Sequence, residues 1–261
     1  MEQFALKGIF FCDVDGTLLP YGNKRLSDEV IELIHQITEL GYLVCISSGR
    51  PYLSLQELFQ EVKEEVIFSC CNGSALFYKG KPLVDEVFLK RSVLEGVYED
   101  CLARDCLAII ATSERIYLSL QQDTPLRKKH YENRSYAQSI ADPAQVGQDA
   151  HQITVCCNGN LEEVLPYFKK TWSDEAHIAV SGNSMFDLSA SNKGIALQRV
   201  ATHFSLPLAQ TFAFGDSEND LSMLRLAGKA FVMEQSSEAL KNEITDHCRD
   251  VGETIRSIVF A

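Results

Sequence analysis

Short apolar runs separated by amphipathic stretches dominate the first third of the chain. Residues 9–12 (Ile-Phe-Phe-Cys) are continuously apolar, as in a parallel strand buried on both faces. Val30, Leu33, Ile34, Ile37 and Leu40 then recur at helical spacing. Ser27 is placed to cap that helix, Asp28 and Glu29 fall in its first turn, and Gly41 stops it. Residues 42–46 form a second buried run. The stretch from Pro51 to Val62 predicts a helix with proline in its first turn, and residues 65–69 start a third strand. The order β-α-β-α-β implies an α/β fold with a parallel sheet and right-handed crossovers.

The texture changes after the turn signals Asn72-Gly73 and Lys79-Gly80-Lys81-Pro82, which flank a short strand at 75–78. Runs become shorter and more mixed. Helices are predicted at 92–103 and 161–172, the second bearing Pro166. Strands are predicted at 107–111, 115–120, 153–157, 177–180 and 185–188, while residues 124–147 are polar and without assignable periodicity. This stretch reads as an α+β module, residues 83–187, inserted into an α/β core made of 1–82 and 188–261. The α/β texture then resumes. A helix is predicted at 193–204, with Ile195, Ala196, Ala201 and Phe204 on its apolar face. A buried strand at 211–214, a helix through Leu226, a strand at 230–233 and a helix at 237–244 follow.

Composition narrows the function classes. A net charge of −12, without a block of Lys or Arg, argues against non-specific nucleic-acid binding and against an anionic membrane surface. No apolar run approaches the ~18 residues that span a bilayer. The opening MEQFALKGIFF lacks the layout of a secretory signal and reads as the start of the fold. Nine cysteines, most inside apolar runs and none in a C-x-x-C pair, predict reduced, buried thiols in a cytoplasmic protein.

The polar residues that follow the strands carry the candidate chemistry. Asp13 and Asp15 stand just after the first strand, where open α/β sheets bind ligands. Two carboxylates ~4 Å apart repel by roughly 4 kcal/mol at an effective dielectric near 20. A hard cation with oxygen ligands would offset that repulsion. Asp13 is then a candidate ligand or nucleophile, and Asp15 a candidate proton donor. Three more such segments occur: Ser48-Gly49-Arg50, Asn192-Lys193-Gly194, and Gly215-Asp216-Ser217-Glu218-Asn219-Asp220. They add a hydroxyl, a cation, a third carboxylate, and a helix start at Asn219 and Asp220 that favours oxyanions. Acid, metal, cation and hydroxyl together fit phosphoryl transfer, which is mostly positioning and charge neutralisation. Alone, each segment has a plainer reading: an ordinary loop, a solvated lysine at a helix start, or an N-cap cluster.

In order, DVDGTLL, SSGRP, SNKGIAL and GDSENDLSML resemble the motifs of the haloacid dehalogenase superfamily, with CNGS as its strand-three turn. Within it the chain is similar to the Cof-type phosphatases, whose Rossmann-like core carries a C2B α+β cap. The resemblance covers essentially the whole chain. It implies Asp13 as the nucleophile that forms an aspartyl-phosphate, and Asp15 as general acid and then base. It implies Mg²⁺ held by the Asp13 carboxylate, the Asp15 backbone carbonyl and Asp216. It implies a phosphoryl group bound by Ser48, the Gly49 amide, Lys193 and Asn219, with the Val14 amide helping. Asp220 would orient Lys193 or a water on the metal.

Ser48 stands where the family usually has Thr. Glu234-Gln235 replaces the usual Gly-Asn after the next strand, which affects the rim loop rather than the chemistry. The expected reaction is hydrolysis of a small phosphorylated metabolite, a sugar phosphate or cofactor phosphate, by a monomer or dimer. A phosphomutase or phosphotransferase, or a non-catalytic sensor of a phosphometabolite, are the alternatives. The insert is expected to choose the substrate, closing about hinges near Pro82 and Phe186. The basic run Arg127-Lys128-Lys129-His130 within it is a candidate contact to an anion, or a solvated surface.

Overall fold

A computed structural model describes residues 6–120, 134–147 and 149–260. The basic run at 127–130 lies outside the described residues. Strand β1 (Gly8–Cys12) is buried at every position, as its apolar sequence requires. Helix α1 (Asp28–Glu39) buries Leu33, Ile34 and Ile37. Ser27 precedes it in extended conformation but makes no side-chain cap, so the expected capping bond is absent. Strand β2 (Tyr42–Ser47) follows. Helix α2 is only Tyr52–Leu58, shorter than predicted, because Phe59 leaves helical geometry and turns its ring into the core. Strands β3 (Val66–Cys70), β4 (Ala75–Tyr78) and β5 (Lys81–Pro82) complete this part.

The next elements are α3 (Arg91–Ala103), β6 (Leu107–Ala111), β7 (Ile116–Ser119), β8 (Ala137–Ile140), β9 (Gln152–Cys156), α4 (Leu161–Trp172), β10 (His177–Gly182) and β11 (Met185–Ser189). Strand β8 arises from the polar stretch that carried no periodicity. Only one of its residues, Ile140, is buried, so a two-residue apolar repeat never develops. The chain ends with α5 (Lys193–His203), β12 (Thr211–Gly215), α6 (Leu221–Leu226), β13 (Lys229–Met233), α7 (Glu238–Glu243), β14 (His247–Cys248) and α8 (Val251–Val259). Helix α5 buries Ala196, Leu197, Val200 and Ala201. Ile195, expected on that face, is 42 % exposed because the first turn of the helix points it outward.

These elements form two compact units, Met1–Glu86 with Asn192–Ala261, and Val87–Ser191. Phe186, expected at a hinge, lies instead within β11 and is fully buried in the core of the second unit. The first unit holds one sheet in the order β14-β13-β12-β1-β2-β3-β4-β5. Its six strands from β14 to β3 pair in parallel, and β4 and β5 add an antiparallel edge. Strand β1 sits between β12 and β2, so the chain order reverses on its two sides. The carboxyl ends of β12, β1 and β2 therefore adjoin at a switch point, the place where such sheets bind ligands. The second unit is a six-stranded sheet, β10-β11-β9-β6-β7-β8, with α3 and α4 packed on one face around Tyr98, Phe168 and Phe186.

Candidate active site

The strand ends bring the sequence-predicted residues together within the first unit. Asp13 follows β1 directly, and its amide donates to the Phe214 carbonyl of β12 at 2.9 Å. The residue is 6 % exposed. Asp216 follows β12 and is 7 % exposed. Lys193 opens α5, where the Asn192 side chain caps the helix by accepting from the Ile195 amide at 2.9 Å. The lysine is completely buried. Its Nζ donates to Asp13 Oδ1 at 2.6 Å and to Asp220 Oδ1 at 2.5 Å. Asp220 is also completely buried, and its other oxygen accepts the amides of Asp216 and Ser217, each at 3.0 Å. It thus ties the lysine to the loop that carries Asp216.

Carboxylate oxygens of Asp13, Asp216 and Asp220 lie within 4.8 Å of one another. At that separation a pair of unit charges repels by about 3.5 kcal/mol at an effective dielectric near 20. One lysine cannot balance three such groups. Burial and the charge of Asp220 push the Asp13 carboxyl up to about 8, with Lys193 pulling the other way. Burial likewise raises Asp216. The two carboxylates hold Lys193 above its ordinary value although burial alone would lower it. Asp13 therefore holds its proton more tightly than an ordinary carboxyl unless more positive charge arrives. Buried oxygen donors in excess over buried cations fit a hard divalent ion. Lys193 and two backbone amides fix both oxygens of Asp220, whereas Asp216, among the described residues, accepts only from the hydroxyls of Tyr21 and Ser217, so Asp13 and Asp216 are the candidate donors.

Asp15 points elsewhere. Arg50 grips it with two hydrogen bonds, Nε to Oδ2 at 2.8 Å and Nη2 to Oδ1 at 2.6 Å. Both side chains are partly exposed, 45 % for Asp15 and 32 % for Arg50. Ser48 is buried after β2, and its Oγ accepts the Arg50 amide at 3.2 Å, which leaves its O–H to donate. Gly49 lies between them, half-buried. Val14 is fully buried, its carbonyl accepting the amides of Thr17 and Leu19. Asn219 donates from Nδ2 to Asn72 Oδ1 at 3.2 Å. Asn219 and Asp220 lie in a short 3-10 turn that leads into α6, so they precede the expected helix rather than open it. The loop has little slack. Gly16 has φ +93°, and a Cβ there would overlap the Asp216 carboxylate.

Other residues join the site without having been singled out. Tyr21 donates to Asp216 Oδ2 at 2.7 Å, and Ser217 Oγ donates to Oδ1 at 3.0 Å. Gln235 Nε2 donates to the Gly16 carbonyl at 2.6 Å, so the unusual Glu234-Gln235 segment braces the loop after Asp15. Arg50 and Asn72 stood inside quoted motifs. Gln235 was marked in the sequence only as part of an altered rim loop, and Tyr21 carried no signal, because a lone tyrosine in a loop is common.

A sequence profile described as haloacid dehalogenase-like hydrolase matches residues 10–253. The chain belongs to the haloacid dehalogenase-like hydrolases. It is similar to the HMP-PP phosphatase of Cronobacter sakazakii, 27 % identical over 256 residues, covering 95 % of this chain and 91 % of the relative. It is also similar to the 5-amino-6-(5-phospho-D-ribitylamino)uracil phosphatase YitU of Bacillus subtilis, 26 % identical over 251 residues, 88 % of this chain and 87 % of that one. Among solved structures it resembles the HAD subclass IIB sugar phosphatase BT4131, with TM-score 0.83 and 19 % identity over 97 % of this chain and 100 % of the other. It also resembles SMU.1108c of Streptococcus mutans UA159, with TM-score 0.87 and 18 % identity over 97 % of this chain and 99 % of that one. At such identities these likenesses establish the fold of the hydrolase. Among the described residues no helix is long and apolar enough to cross a membrane.

The raised Asp13 carboxyl has a consequence for stability. Its folded value near 8 lies above the ordinary unfolded value near 3.9, so the folded state holds the proton more tightly. The favourable contribution is complete below about pH 4 and is lost as pH rises toward 8. In chelator, Asp13→Asn should melt above the parent at pH 8, and the gap should close as pH falls toward 4. Thermal melts across that range check it, and a gap independent of pH would contradict the assignment.

Proposed function

We propose that this hydrolase is a Mg²⁺-dependent phosphatase of small phosphorylated metabolites, working through an aspartyl-phosphate on Asp13. The observation that carries the reading is the buried Lys193 ammonium held between Asp13 and Asp220, with the Asp216 carboxylate alongside. A charged lysine is retained in a core only where its partners do something for it or it for them. Here it steadies a carboxylate at a strand end and keeps one of its three N–H groups for a phosphoryl oxygen. The phosphatase names of the relatives support the same reaction class.

In this reading Asp13 attacks phosphorus in line and the ester oxygen leaves. Lys193, the Ser48 hydroxyl, the Gly49 and Val14 amides and Asn219 take the phosphoryl oxygens. Asp15 delivers a proton to the leaving oxygen and then removes one from the water that hydrolyses the acyl phosphate. Arg50 fixes the direction of the Asp15 carboxylate, and their ion pair must loosen for Asp15 to take up the proton it delivers. A divalent cation held by Asp13, Asp216 and the Asp15 backbone carbonyl would supply the positive charge that keeps Asp13 ionised and neutralises the phosphoryl group. Buried thiols without disulfides among the described residues support a reducing compartment such as the cytoplasm.

Phosphate release from p-nitrophenyl phosphate and a panel of sugar, nucleotide and cofactor phosphates tests the reading. Mg²⁺ should support turnover and EDTA should abolish it. Asp13→Asn should be inactive though folded, and Asp15→Asn should bind the metal yet turn over roughly 10²-fold or more slowly. Full activity in excess chelator, or in Asp13→Asn, would contradict the mechanism. An isomerised sugar phosphate without release would favour a mutase.

All four motifs lie in the first unit, so the core recognises the phosphoryl group and the Val87–Ser191 unit is left to choose what is attached to it. Replacing that unit by a short linker should leave residual activity on p-nitrophenyl phosphate and erase preference among larger substrates. A truncated protein that ranked the panel as the full chain does would place specificity in the core.

A further inference from the structure

The second unit carries a thiol pair that the proposed reaction does not use. Strands β6 and β9 run antiparallel with Leu107 opposite Cys156. One position further out, the same register sets Cys106 opposite Cys157. Their sulfurs are 3.9 Å apart, with the Cys106 S–H donated toward Cys157 Sγ. Both belong to the helix-covered core with Ala108, Ile110, Ile153 and Val155. The backbone is pinned on each side: the Cys106 amide donates to the Cys101 carbonyl at 2.9 Å, and the Cys157 amide to the Ser184 carbonyl at 2.7 Å. Next along, Asn158 Nδ2 donates to the Asp105 carbonyl at 3.0 Å and holds the two chains together. Cys156 is no rival partner, because strand alternation places it in the opposite-face cluster with Leu107 and Ile109.

We propose that Cys106 and Cys157 form a dithiol site that hydrogen peroxide oxidises to an intramolecular disulfide. Directly opposed residues in an antiparallel pair have Cα atoms about 4.5–5.5 Å apart. Disulfides bridge Cα separations of about 4.4–6.8 Å. Bringing the sulfurs to bonding distance therefore needs side-chain rotation and no separation of the strands. The hydrogen bond from Cys106 holds the Cys157 thiol below its ordinary value, and the same bond together with burial pushes Cys106 up. Cys157, the acceptor of the Cys106 S–H, is the sulfur from which the attack is proposed. Its thiolate takes one peroxide oxygen, the O–O bond breaks, and the hydroxide released is protonated to water. The Cys106 sulfur then attacks the Cys157 sulfenic sulfur, the S–O bond breaks, and the departing hydroxide leaves as water with the Cys106 proton. Overall two thiols and one peroxide give one disulfide and two waters. Cys106 is 4 % and Cys157 1 % exposed, burial that excludes oxidised glutathione and limits access to oxidants as small as peroxide.

The full chain, reduced and then exposed to peroxide, is unfolded in N-ethylmaleimide and weighed. The nine thiols of the reduced protein should fall by two, and dithiothreitol should restore them. A non-reducing tryptic map should join the peptide 105–115 to the peptide 135–169. The cross-link should persist in Cys156→Ser and vanish in Cys157→Ser, while Cys106→Ser should trap a dimedone-reactive sulfenic acid on Cys157. Nine alkylated thiols after peroxide, or a cross-link to Cys101 or Cys156 instead, would overturn the proposal. Fragmentation of the joined peptides from the unmutated chain, which separates Cys156 from Cys157, decides this even if a variant fails to fold.

Discussion

The first unit is organised around a lysine with no access to water. Lys193 is buried completely, yet it is charged, because Asp13 and Asp220 each accept a hydrogen bond from it. Removing the lysine from such a cluster typically costs about 3–5 kcal/mol, since the buried carboxylates are then left without their cation. Three chain segments distant in sequence are thereby tied to one atom: the end of β1, the start of α5, and the loop after β12. The arrangement is overcommitted in negative charge, with Asp216 a further buried carboxylate. A site of this kind is unstable by itself and is completed by something positive.

Topology explains why these segments meet. The sheet reverses direction of travel at β1, so the ends of β12 and β2 flank it and no helix crosses over that edge. The loop after β1 can then fold back on itself, with Gly16 at positive φ letting Asp216 approach, and with Tyr21 and Gln235 bracing it. The chemistry depends on this loop being stiff, because phosphoryl transfer gains mostly from positioning.

Much of this was legible in the residues. The buried strands announced themselves as unbroken apolar runs, and the polar residues just beyond them marked the functional edge. The placement that marked Asp13, a polar residue just after a strand or at a helix start, also marked Asp216 and Lys193, and the segment of Asp216 carried Asp220. What stayed hidden has physical reasons. The end of α2 depends on where Phe59 finds a core to enter. The outward turn of Ile195 depends on helix phase set by the neighbouring α6. Strand β8 buries only Ile140 and leans on β7 for its existence. Tyr21 and Gln235 reach the site only through the folded loop, and the pairing of Cys106 with Cys157 depends on a strand register that no local pattern encodes.

The central claim is that Asp13 carries the phosphoryl group, and acid-quench trapping tests it most directly. The protein with Mg²⁺ is mixed with p-nitrophenyl phosphate, quenched in acid within the first turnover, and reduced with borohydride, which converts an aspartyl-phosphate to homoserine. Mass mapping should find homoserine at position 13, in greater yield for Asp15→Asn, where hydrolysis of the acyl phosphate is slowed. Phosphate release with no homoserine at position 13, or with the modification on another residue, would contradict the account.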